Sequence, residues 1–538
     1  MSLAELRDQS GKAKEAQMNL IDYFDAGVIG HAGATCFQDH ASRTSAITYS
    51  EADDLINKNA RGLQALKLQP GFHGAVLSGN NAGAFIALLS ILRADGVWLP
   101  VNARNSLESN IEFLRDMECD VLFYQASFQE QINRIKESLP RISHYIVLED
   151  DAREDMTMSA LGEGWLGTKL PNDYDPDKLA LIMGTGGTTG RSKGVMLTHR
   201  NVTMTLANHM SIMAIKERMT VLAAAPITHT AGLVSMPFMC RGGRVILMDG
   251  INPQDLLRTI EVERVGFIFL PPTVIYMLLA QPNVRDFDFS SLRYMMYGAA
   301  PMSPDKLAEA IEVFGPVMIQ IYGQAEVPGA ISALTVDEHF IDGKIAPRDR
   351  LLSAGRRFPF VRAEIMDENG NILSGARQTG EIVAQGDIVT PGYYKNPEAT
   401  AEVRKNGWHC TGDIGYFDED GFLYIVDRKK DMIVTGGFNV FSSEVEAAIM
   451  AHPAVKDCAV IGVPDEKWGE AVKAVIELRQ GHSVDVSDLI QLVKERLGSV
   501  KAPKTIDIVE ELPRSAVGKV LKKEVRKKYW GSHERLVS

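Results

Sequence analysis

The chain has 538 residues, with 57 Lys and Arg against 69 Asp and Glu, so its formal net charge is -12. At about 100–200 residues per domain, this length indicates roughly two to four domains. Hydrophobic residues make up 45% and charged residues 23%, which excludes a disordered or fibrous chain. An acidic chain lacks the basic surface that broad nucleic-acid binding requires, so we expect no nucleic-acid partner.

Cysteine usage and apolar segments bear on the cellular compartment. The five cysteines are Cys36, Cys119, Cys240, Cys410 and Cys458. They lie far apart without a C-x-x-C pair, so we expect neither a disulfide framework nor a structural zinc. Residues 1–20 are polar and do not resemble a secretory signal. The longest apolar stretch, 265–280, is interrupted by Pro271 and Pro272 and is too short to span a bilayer. We therefore expect a cytoplasmic protein without an integral membrane segment.

Helical and strand-like patterns alternate from about residue 50 onwards. Helical spacing covers 51–66 and 82–94. Strands are predicted at 75–78, 97–101, 120–124, 145–149, 179–183, 221–225, 245–248 and 266–270. Because strands and helices alternate at this spacing, we predict α/β architecture with parallel-type sheets covered by helices.

The pattern changes after residue 361. Short strands with Gly-rich turns, as in 364–370 and 380–386, predict a small β-rich subdomain. The charged run 427–431 separates strands predicted at 422–426 and 432–434. A compact α+β pattern follows, with helices at 443–450 and 486–497 and strands at 458–463 and 471–478. We predict an N-terminal domain over 1–427 and a C-terminal domain over 428–538.

The segment most informative about chemistry is the Gly- and Thr-rich stretch 184–194, which follows an apolar strand. Its glycines allow backbone N–H groups to approach phosphate oxygens, and Lys193 adds positive charge. It is not a Walker A loop, because Lys193 precedes Gly194, and not a Rossmann loop, because Thr189 replaces the last glycine. On its own the stretch leaves two interpretations open, a phosphate loop and an ordinary turn.

The stretch resembles the T-S-G-T-T-G-x-P-K-G signature of the adenylate-forming superfamily, which includes acyl-CoA synthetases, luciferases and peptide-synthetase adenylation domains. Further motifs of that superfamily follow in family order at 226–232, 298–301, 322–326, 380–382, 392–394, 397–400, 411–413, 427–431, 435–439 and 513–519. The resemblance extends from about residue 50 to residue 523. Among the members, the chain is most similar to AMP-forming acyl-CoA synthetases that act on fatty or aromatic acids.

The resemblance implies a two-step ligase reaction. A carboxylate attacks the α-phosphate of MgATP, giving an acyl-adenylate and pyrophosphate, and the thiol of coenzyme A then displaces AMP. The implied partners are thus a small carboxylic acid, ATP, Mg²⁺ and coenzyme A. It also implies a mobile C-terminal domain. Many members dimerise, so a homodimer is an expectation by analogy.

The motifs also imply the residues that perform the reaction. Lys519 would bridge the carboxylate and the α-phosphate, which is an electrostatic role worth about 10²–10³ in rate. Glu326, together with Thr185, would hold Mg²⁺. Asp413 would accept hydrogen bonds from the ribose hydroxyls, and Arg428 would donate to the ribose or phosphate. Outside these motifs, the same residue types are more often surface groups or salt-bridge partners.

The remaining implied contacts concern the base, the phosphates and the thiol. The other nucleotide-binding residues are Gly186, Gly187, Thr188, Thr189, Gly190, Lys193, Gly298, Ala299, Ala300, Gln320, Ile321, Tyr322, Gly323, Gln324 and Ala325. Gly436 and Gly437 would line the pantetheine tunnel, because absent side chains admit a narrow chain. Lys430 matches the hinge about which the C-terminal domain would pivot.

The acyl group would enter a small, apolar pocket. His229 would stand at this pocket or at the gate to the thiol tunnel. The other implied lining residues are Ala231, Gly232, Leu233, Val234, Ala299, Ala325, Val327, Gly329 and Ala330. Residues 221–247 include no acidic side chain, whereas amino-acid-activating relatives place an aspartate there. Because a buried ammonium without a counter-charge is costly, we do not expect an amino-acid substrate. Fatty, aromatic and alicyclic acids remain open.

Three positions depart from the family pattern. Gly186 replaces a serine and Ser192 a proline, both in the flexible loop. Ala325 replaces a threonine whose hydroxyl lies near the α-phosphate. A hydrogen bond to a charged group contributes about 1.5–3 kcal/mol, so we expect a weakened enzyme or a substitute donor. Two alternatives stay open: transfer of the adenylate's acyl group to a carrier protein, and a nucleotide-binding homologue with impaired catalysis.

Overall fold

A computed structural model of the protein describes residues 18–42, 46–150, 155–170, 175–185, 193–228, 230–514 and 520–530. Helices and strands alternate along these residues. The helices are α1 (Asp22–His31), α2 (Tyr49–Ala65), α3 (Ala82–Arg93), α4 (Leu107–Asp116), α5 (Gln129–Ser138), α6 (Met158–Gly162), α7 (His199–Ile212), α8 (Thr230–Met239), α9 (Pro253–Val262), α10 (Pro272–Leu279), α11 (Pro304–Phe314), α12 (Arg348–Leu351), α13 (Pro397–Glu402), α14 (Ser442–Met450), α15 (Val486–Leu497) and α16 (Lys522–Trp530).

The strands of the first two thirds of the chain include all eight of those predicted there. They are β1 (Thr35–Asp39), β2 (Ala46–Thr48), β3 (His73–Leu77), β4 (Val97–Pro100), β5 (Val121–Tyr124), β6 (His144–Val147), β7 (Met156–Thr157), β8 (Leu179–Thr185), β9 (Lys193–Thr198), β10 (Thr220–Ala223), β11 (Arg244–Leu247), β12 (Val265–Leu270), β13 (Tyr294–Tyr297), β14 (Met318–Gln324), β15 (Val327–Leu334), β16 (Phe340–Ile341), β17 (Lys344–Ile345) and β18 (Arg356–Arg357).

The remaining strands lie in the last third of the chain. They are β19 (Arg362–Met366), β20 (Ile372–Leu373), β21 (Gly380–Gln385), β22 (Gly392–Tyr393), β23 (Arg404–Lys405), β24 (Trp408–Phe417), β25 (Leu423–Arg428), β26 (Ile433–Thr435), β27 (Phe438–Val440), β28 (Val455–Asp465), β29 (Gly469–Leu478) and β30 (Thr505–Val509).

Two mainly parallel sheets belong to the first compact unit, which comprises the described residues up to 352 together with 357–362 and 385–401. One sheet contains, side by side, β15-β14-β13-β12-β10-β11-β1-β2, and the other has the order β22-β9-β8-β4-β3-β5-β6-β7. In the first sheet, every pair of neighbours from β14 through to β1 is parallel. In the second sheet, every pair of neighbours from β8 through to β7 is parallel. The predicted parallel sheets are confirmed, whereas antiparallel strands at their edges, including β9 and β15, were not predicted.

Polar caps and buried apolar faces explain why the helices form where they do. Thr48 and Glu51 form a capping box at the start of α2, and the Asn81 side chain accepts a hydrogen bond from the first turn of α3. Helices α9, α10 and α11 bury apolar side chains against one sheet. The predicted helices 51–66 and 82–94 are confirmed as α2 and α3, each within two residues at either end.

The second compact unit comprises residues 353–356, 363–384 and the described residues from 402 onwards. It holds an antiparallel sheet, β20-β19-β21-β24-β23 with β25 on β24, and a second sheet, β27-β26-β29-β28 with β30 parallel to β29. The β-rich segment predicted between 361 and 426 is thus confirmed, and it lies mostly in the unit that includes the α+β C-terminal part. The domain boundary at 427/428 stays a prediction.

Two segments differ from, or refine, the sequence predictions. Strand β25 continues through Asp427 to Arg428, so the predicted end at residue 426 was wrong by two residues. The apolar stretch 265–280 divides at Pro271 into β12 and α10, as its prolines predict. None of the helices in the described ranges has the length and apolar character that crossing a bilayer requires.

Candidate active site

The predicted site segments of the first unit follow the carboxyl ends of sheet strands. Thr185 is the last residue of β8, and residues 226–228 follow β10. Residues 298–300 follow β13, and Glu326 follows β14. Ligands of open α/β sheets bind at the carboxyl ends of strands, so the topology places these segments where a ligand site is expected.

The two segments predicted to enclose adenine lie against each other. Strands β13 and β14 are parallel neighbours, and a Cβ added at Gly298 would come within 2.8 Å of the Ile321 carbonyl oxygen. Ala299 has a φ of +65°, a conformation that residues other than glycine rarely adopt and that is concentrated in functional loops. The structure therefore brings together Gly298, Ala299 and Ala300 with Gln320, Ile321, Tyr322, Gly323 and Gln324.

Glu326 occupies the tip of a hairpin. Ala325 and Glu326 form the two-residue turn between the antiparallel strands β14 and β15. The hydroxyl of Tyr393 donates to Oε1 of Glu326 at 2.6 Å, and the Thr390 N–H donates to the Glu326 carbonyl at 2.9 Å. Glu326 is only 7% exposed, and within the described residues no hydrogen bond reaches its Oε2. One carboxylate oxygen is thus held in place, and the other faces no protein donor in that part of the chain.

The ends of the predicted phosphate loop are paired strand residues. Thr185 lies opposite Lys193 in the antiparallel pair of β8 and β9, and its hydroxyl donates to the Lys193 carbonyl at 3.3 Å. The Lys193 ammonium lies 5.1 Å from the centroid of the Tyr393 ring, within cation–π range. The loop residues Gly186, Gly187, Thr188, Thr189, Gly190 and Ser192 lie outside the described residues.

The predicted ribose ligands are partners of each other in the second unit. Asp413 and Arg428 lie opposite each other on β24 and β25, and Arg428 Nε lies 3.0 Å from Asp413 Oδ1. The Asp413 side chain is 6% exposed and that of Arg428 is 46% exposed. The predicted hinge residue, Lys430, lies two residues after Arg428 in the sequence and is exposed. Lys519 lies outside the described residues, in a segment flanked by the paired residues Arg514 and Val520.

The basic run at 522–528 forms α16, and part of it is buried rather than solvated. The Lys522 ammonium contacts Glu446 Oε1 at 2.8 Å and donates to the Ser442 hydroxyl, which donates to Asp427 at 2.9 Å. Burial raises the pKa of Glu446 to about 7 although Lys522 opposes this shift. A basic run in a sequence is usually a solvated helix face, but Lys522 lies inside an ion network.

Arg526 continues this network one turn further along α16. Its guanidinium lies 2.9 Å from Asp431, which follows Lys430 directly. Lys527 and Lys528, by contrast, are exposed.

Seven of the predicted acyl-pocket residues lie on two elements that both pack against α7, and all of these except the half-buried Gly329 are buried. The other two predicted lining residues, Ala299 and Ala325, lie elsewhere, and Ala299 is exposed. Ala231, Gly232, Leu233 and Val234 belong to α8, whereas Val327, Gly329 and Ala330 belong to β15. Val234 is 1% exposed and Val327 is fully buried, so these positions also serve core packing. His229 lies outside the described residues, and its role stays a prediction.

Asn80 was missed by sequence reasoning although it holds the segment before His229. Its Oδ1 accepts from the Ile227 N–H at 3.0 Å, and its Nδ2 donates to the carbonyls of Ala225 at 2.9 Å and Met248 at 3.0 Å. The available signal was an asparagine three residues after the carboxyl end of strand β3. Asn80 therefore fixes residues 225–227 to the neighbouring strand ends.

A cavity of about 280 Å³ adjoins the same segment. It is lined by Ser78, Gly79, Asn80, Asn102, Ala103, Arg104, Phe128, Pro226, Thr228, Asp249 and Gly250. Sequence reasoning did not find it, because its lining comes from five separate parts of the chain.

Gly436 and Gly437 form the turn between β26 and β27. Their φ angles are +57° and +82°, and a two-residue hairpin turn of this kind favours glycine at both positions. The turn geometry by itself accounts for the two glycines, so their role in a pantetheine tunnel stays a prediction.

Comparison with known families agrees with this geometry. Residues 24–394 match the family model described as AMP-binding enzyme, and residues 444–519 match that of the AMP-binding enzyme C-terminal domain. The chain belongs to the AMP-binding enzyme family. The predicted membership of the adenylate-forming superfamily is confirmed.

Individual relatives of this AMP-binding enzyme are ligases. A medium/long-chain-fatty-acid–CoA ligase, FadD8 of Mycobacterium tuberculosis, is 40% identical over 372 residues; the match covers 68% of this chain and 64% of that protein, less than two thirds of its length. A feruloyl-CoA synthase of Amycolatopsis is 34% identical over 487 residues, covering 90% of this chain and 94% of that protein.

A solved structure supports the fold. ATP-bound MatB from Rhodopseudomonas palustris superimposes with a TM-score of 0.85 and 29% identity, covering 96% of this chain and all of that one. The predicted fold class is confirmed by this likeness, and the predicted ligase class by the curated relatives.

Proposed function

We propose that this AMP-binding enzyme activates a carboxylic acid with ATP and then transfers the acyl group to the thiol of coenzyme A. The first step releases pyrophosphate and the second releases AMP. One observation carries the proposal: Lys193, Tyr393 and Glu326 form a continuous line of contacts at the strand ends where 298–300 and 320–324 lie together. A phosphate-binding lysine and a cation-binding carboxylate next to a slot for a flat base are the parts that a nucleotide triphosphate requires.

The slot beside Gly298 suits adenine because small residues line it. Ala299, Ala300 and Gly323 offer no large side chain that would fill the space of a flat ring. The Lys193 ammonium would bind the β- and γ-phosphates, together with the hydroxyl of Thr185. In the second unit, Asp413 would accept from the ribose hydroxyls while Arg428 donates to the ribose or phosphate.

The carboxylate of Glu326 fits a hard cation such as Mg²⁺. It is buried, and its Oε2 has no hydrogen-bond donor within the described chain. Mg²⁺ is usually held by one or two carboxylates plus the phosphates of the substrate, so Glu326 and the Thr185 hydroxyl would hold it here. When bound, Mg²⁺ stabilises negative charge on the phosphates.

The adenylation step joins two anions, and cationic side chains must offset their repulsion. The acid's carboxylate oxygen forms a bond to the α-phosphorus while the bond to pyrophosphate breaks. Because of its motif, we assign Lys519 to the position between the carboxylate and the α-phosphate. We place the hinge of the C-terminal domain, residues 428–538, at Lys430. His229 would then separate the acyl pocket from the route of the thiol.

The substrate class we propose is an apolar carboxylic acid. The residues assigned to the pocket on α8 and β15 are small and apolar, and residues 221–247 include no carboxylate that could pair with an ammonium group. The named substrates of the relatives, a medium- or long-chain fatty acid and ferulic acid, span an aliphatic and an aromatic acid. We therefore extend the proposal to both types.

Separating the two half-reactions tests this proposal. ATP–pyrophosphate exchange that requires an acid but no coenzyme A measures adenylation, and thioester formation from synthetic acyl-adenylate measures the transfer. We expect Lys519→Ala to lower the exchange by about 10²–10³ while leaving the transfer largely intact. Lys528→Ala, an exposed lysine of α16, is the matched control and should change neither. Acid-independent exchange, or equal loss in both variants, would contradict the proposal.

A further inference from the structure

Tyr393 contacts two residues of the proposed ATP site, although the resemblance gives no role to its motif, 392–394. Its hydroxyl donates to Glu326 Oε1 at 2.6 Å, and the face of its ring lies under the Lys193 ammonium at 5.1 Å. Glu326 and Lys193 are 133 positions apart in the chain. Tyr393 therefore connects the proposed metal ligand to the end of the phosphate loop.

The backbone around Tyr393 gives this side chain a fixed position. Strand β22 pairs with β9, so that Tyr393 lies opposite Val195, two residues after Lys193. The Tyr393 N–H donates to the Thr400 hydroxyl at 2.9 Å. Thr390, in the same segment, donates its N–H to the carbonyl of Glu326. The segment 390–393 thus holds Glu326 twice, once at its backbone and once at its carboxylate.

We propose that Tyr393 is the positioning residue of the metal site. Its hydroxyl occupies Oε1 and so turns Oε2 of Glu326 towards the cation, and the Lys193 ammonium above the ring keeps the ring in place. Hydrogen bonds from neighbouring groups orient metal-binding carboxylates, and removing such a partner typically costs about 10–100-fold in metal affinity. This inference rests on the proposed function, because it requires that Glu326 binds the cation that accompanies ATP.

Tyr393→Phe removes the hydroxyl and keeps the ring beneath Lys193. We expect this variant to bind the metal–nucleotide complex with about 10–100-fold weaker metal affinity, while its affinity for ATP in EDTA stays that of the wild type. Tyr394→Phe is a matched control, because the Tyr394 hydroxyl also donates to a carboxylate, that of Glu118 at 2.8 Å. We expect this control to bind the metal as the wild type does.

The test uses Mn²⁺ as the probe and reads binding rather than turnover. The full chain is titrated with Mn²⁺ in the presence of a non-hydrolysable ATP analogue, and free Mn²⁺ is measured by its electron paramagnetic resonance signal. Circular dichroism and the melting temperature verify that each variant folds. A Tyr393→Phe affinity within twofold of the wild type, or an equal loss in Tyr394→Phe, would overturn the inference.

Glu326→Gln separates a failure of this inference from a failure of the proposed function. It should lose most of the nucleotide-dependent Mn²⁺ binding that the wild type shows. If the wild type binds the analogue and Mn²⁺ but Glu326→Gln binds them equally well, Glu326 is not the ligand, and the inference falls together with that one assignment while the proposed ligase activity stands. If the wild type binds neither, the proposed function and the inference are both overturned.

Discussion

Replacing Lys522 by methionine would leave two buried carboxylates, Glu446 and Asp427, without the ammonium that lowers the pKa of each. The Lys522 and Glu446 side chains are each only 18% exposed and lie 2.8 Å apart. Removing one partner of a buried ion pair destabilises a protein by about 3–5 kcal/mol, because the other charge stays buried and uncompensated. We expect a loss of this size for Lys522→Met at pH 8.

The destabilisation caused by Lys522→Met should decrease as the pH falls, because Glu446 becomes protonated. Burial raises the pKa of Glu446 to about 7 in the folded protein, above its ordinary value of 4.5. A group with a raised folded pKa favours folding most at low pH, and this contribution is lost as the pH rises through that pKa. Without Lys522 the pKa of Glu446 rises further, so at pH 5.5 Glu446 is protonated and its part of the uncompensated charge is gone.

Hydrogen–deuterium exchange of the peptide covering β28 measures the local loss of stability in this variant. A loss of 3–5 kcal/mol corresponds to an exchange at least about 100-fold faster than that of the wild type at the same pH. Lys527→Met, which breaks only an exposed pair with Glu524, should accelerate exchange less than about fivefold. The double variant Lys522→Met with Glu446→Gln should recover most of the protection at pH 8. Equal acceleration by both single variants, or a loss that does not decline at pH 5.5, would refute the reasoning.

Three further substitutions test individual parts of the site. Ala325→Thr should raise acid-dependent ATP–pyrophosphate exchange by about tenfold to a hundredfold, because the added hydroxyl would donate to a charged phosphate. An unchanged rate would show that another donor already serves there. Arg428→Gln removes the cation paired with Asp413 and should weaken ATP binding about tenfold or more in an equilibrium titration, whereas an unchanged affinity would exclude it from the site. Asn80→Ala should lower the free energy of unfolding by about 1–3 kcal/mol for each buried backbone group left unpaired, and an unaltered melting temperature would contradict the role of its amide.

The parallel strands were predictable because their information is local. Strands β3 and β5 are buried on both faces and read as short, continuous apolar runs between turn residues. Helix α15 has the predicted bounds because Asp485 caps its first turn and Gly498, with a φ of +86°, ends it. Each of these signals lies within a few residues of the element it defines.

The contacts that build the site were not predictable in this way, because they join distant parts of the chain. Tyr393 and Glu326 are 67 residues apart, and they meet because β22 pairs with β9 and the Thr390 N–H donates to the Glu326 carbonyl. The sequence around Lys522 does not reveal that this lysine is paired, because its partner Glu446 lies 76 residues earlier, on α14. Motifs predict which residues take part, whereas the topology determines which of them touch.

Parallel measurement of AMP and thioester tests the central claim most directly. The full chain is incubated with MgATP and a panel of fatty, aromatic and alicyclic acids, with and without coenzyme A. Our account predicts that at least one acid gives AMP and acyl-coenzyme A in equal amounts, and that neither product accumulates when the acid or coenzyme A is omitted. Acyl-adenylate without thioester would favour a carrier-protein acceptor, and the absence of acid-dependent AMP release from protein that binds ATP would contradict the ligase activity itself.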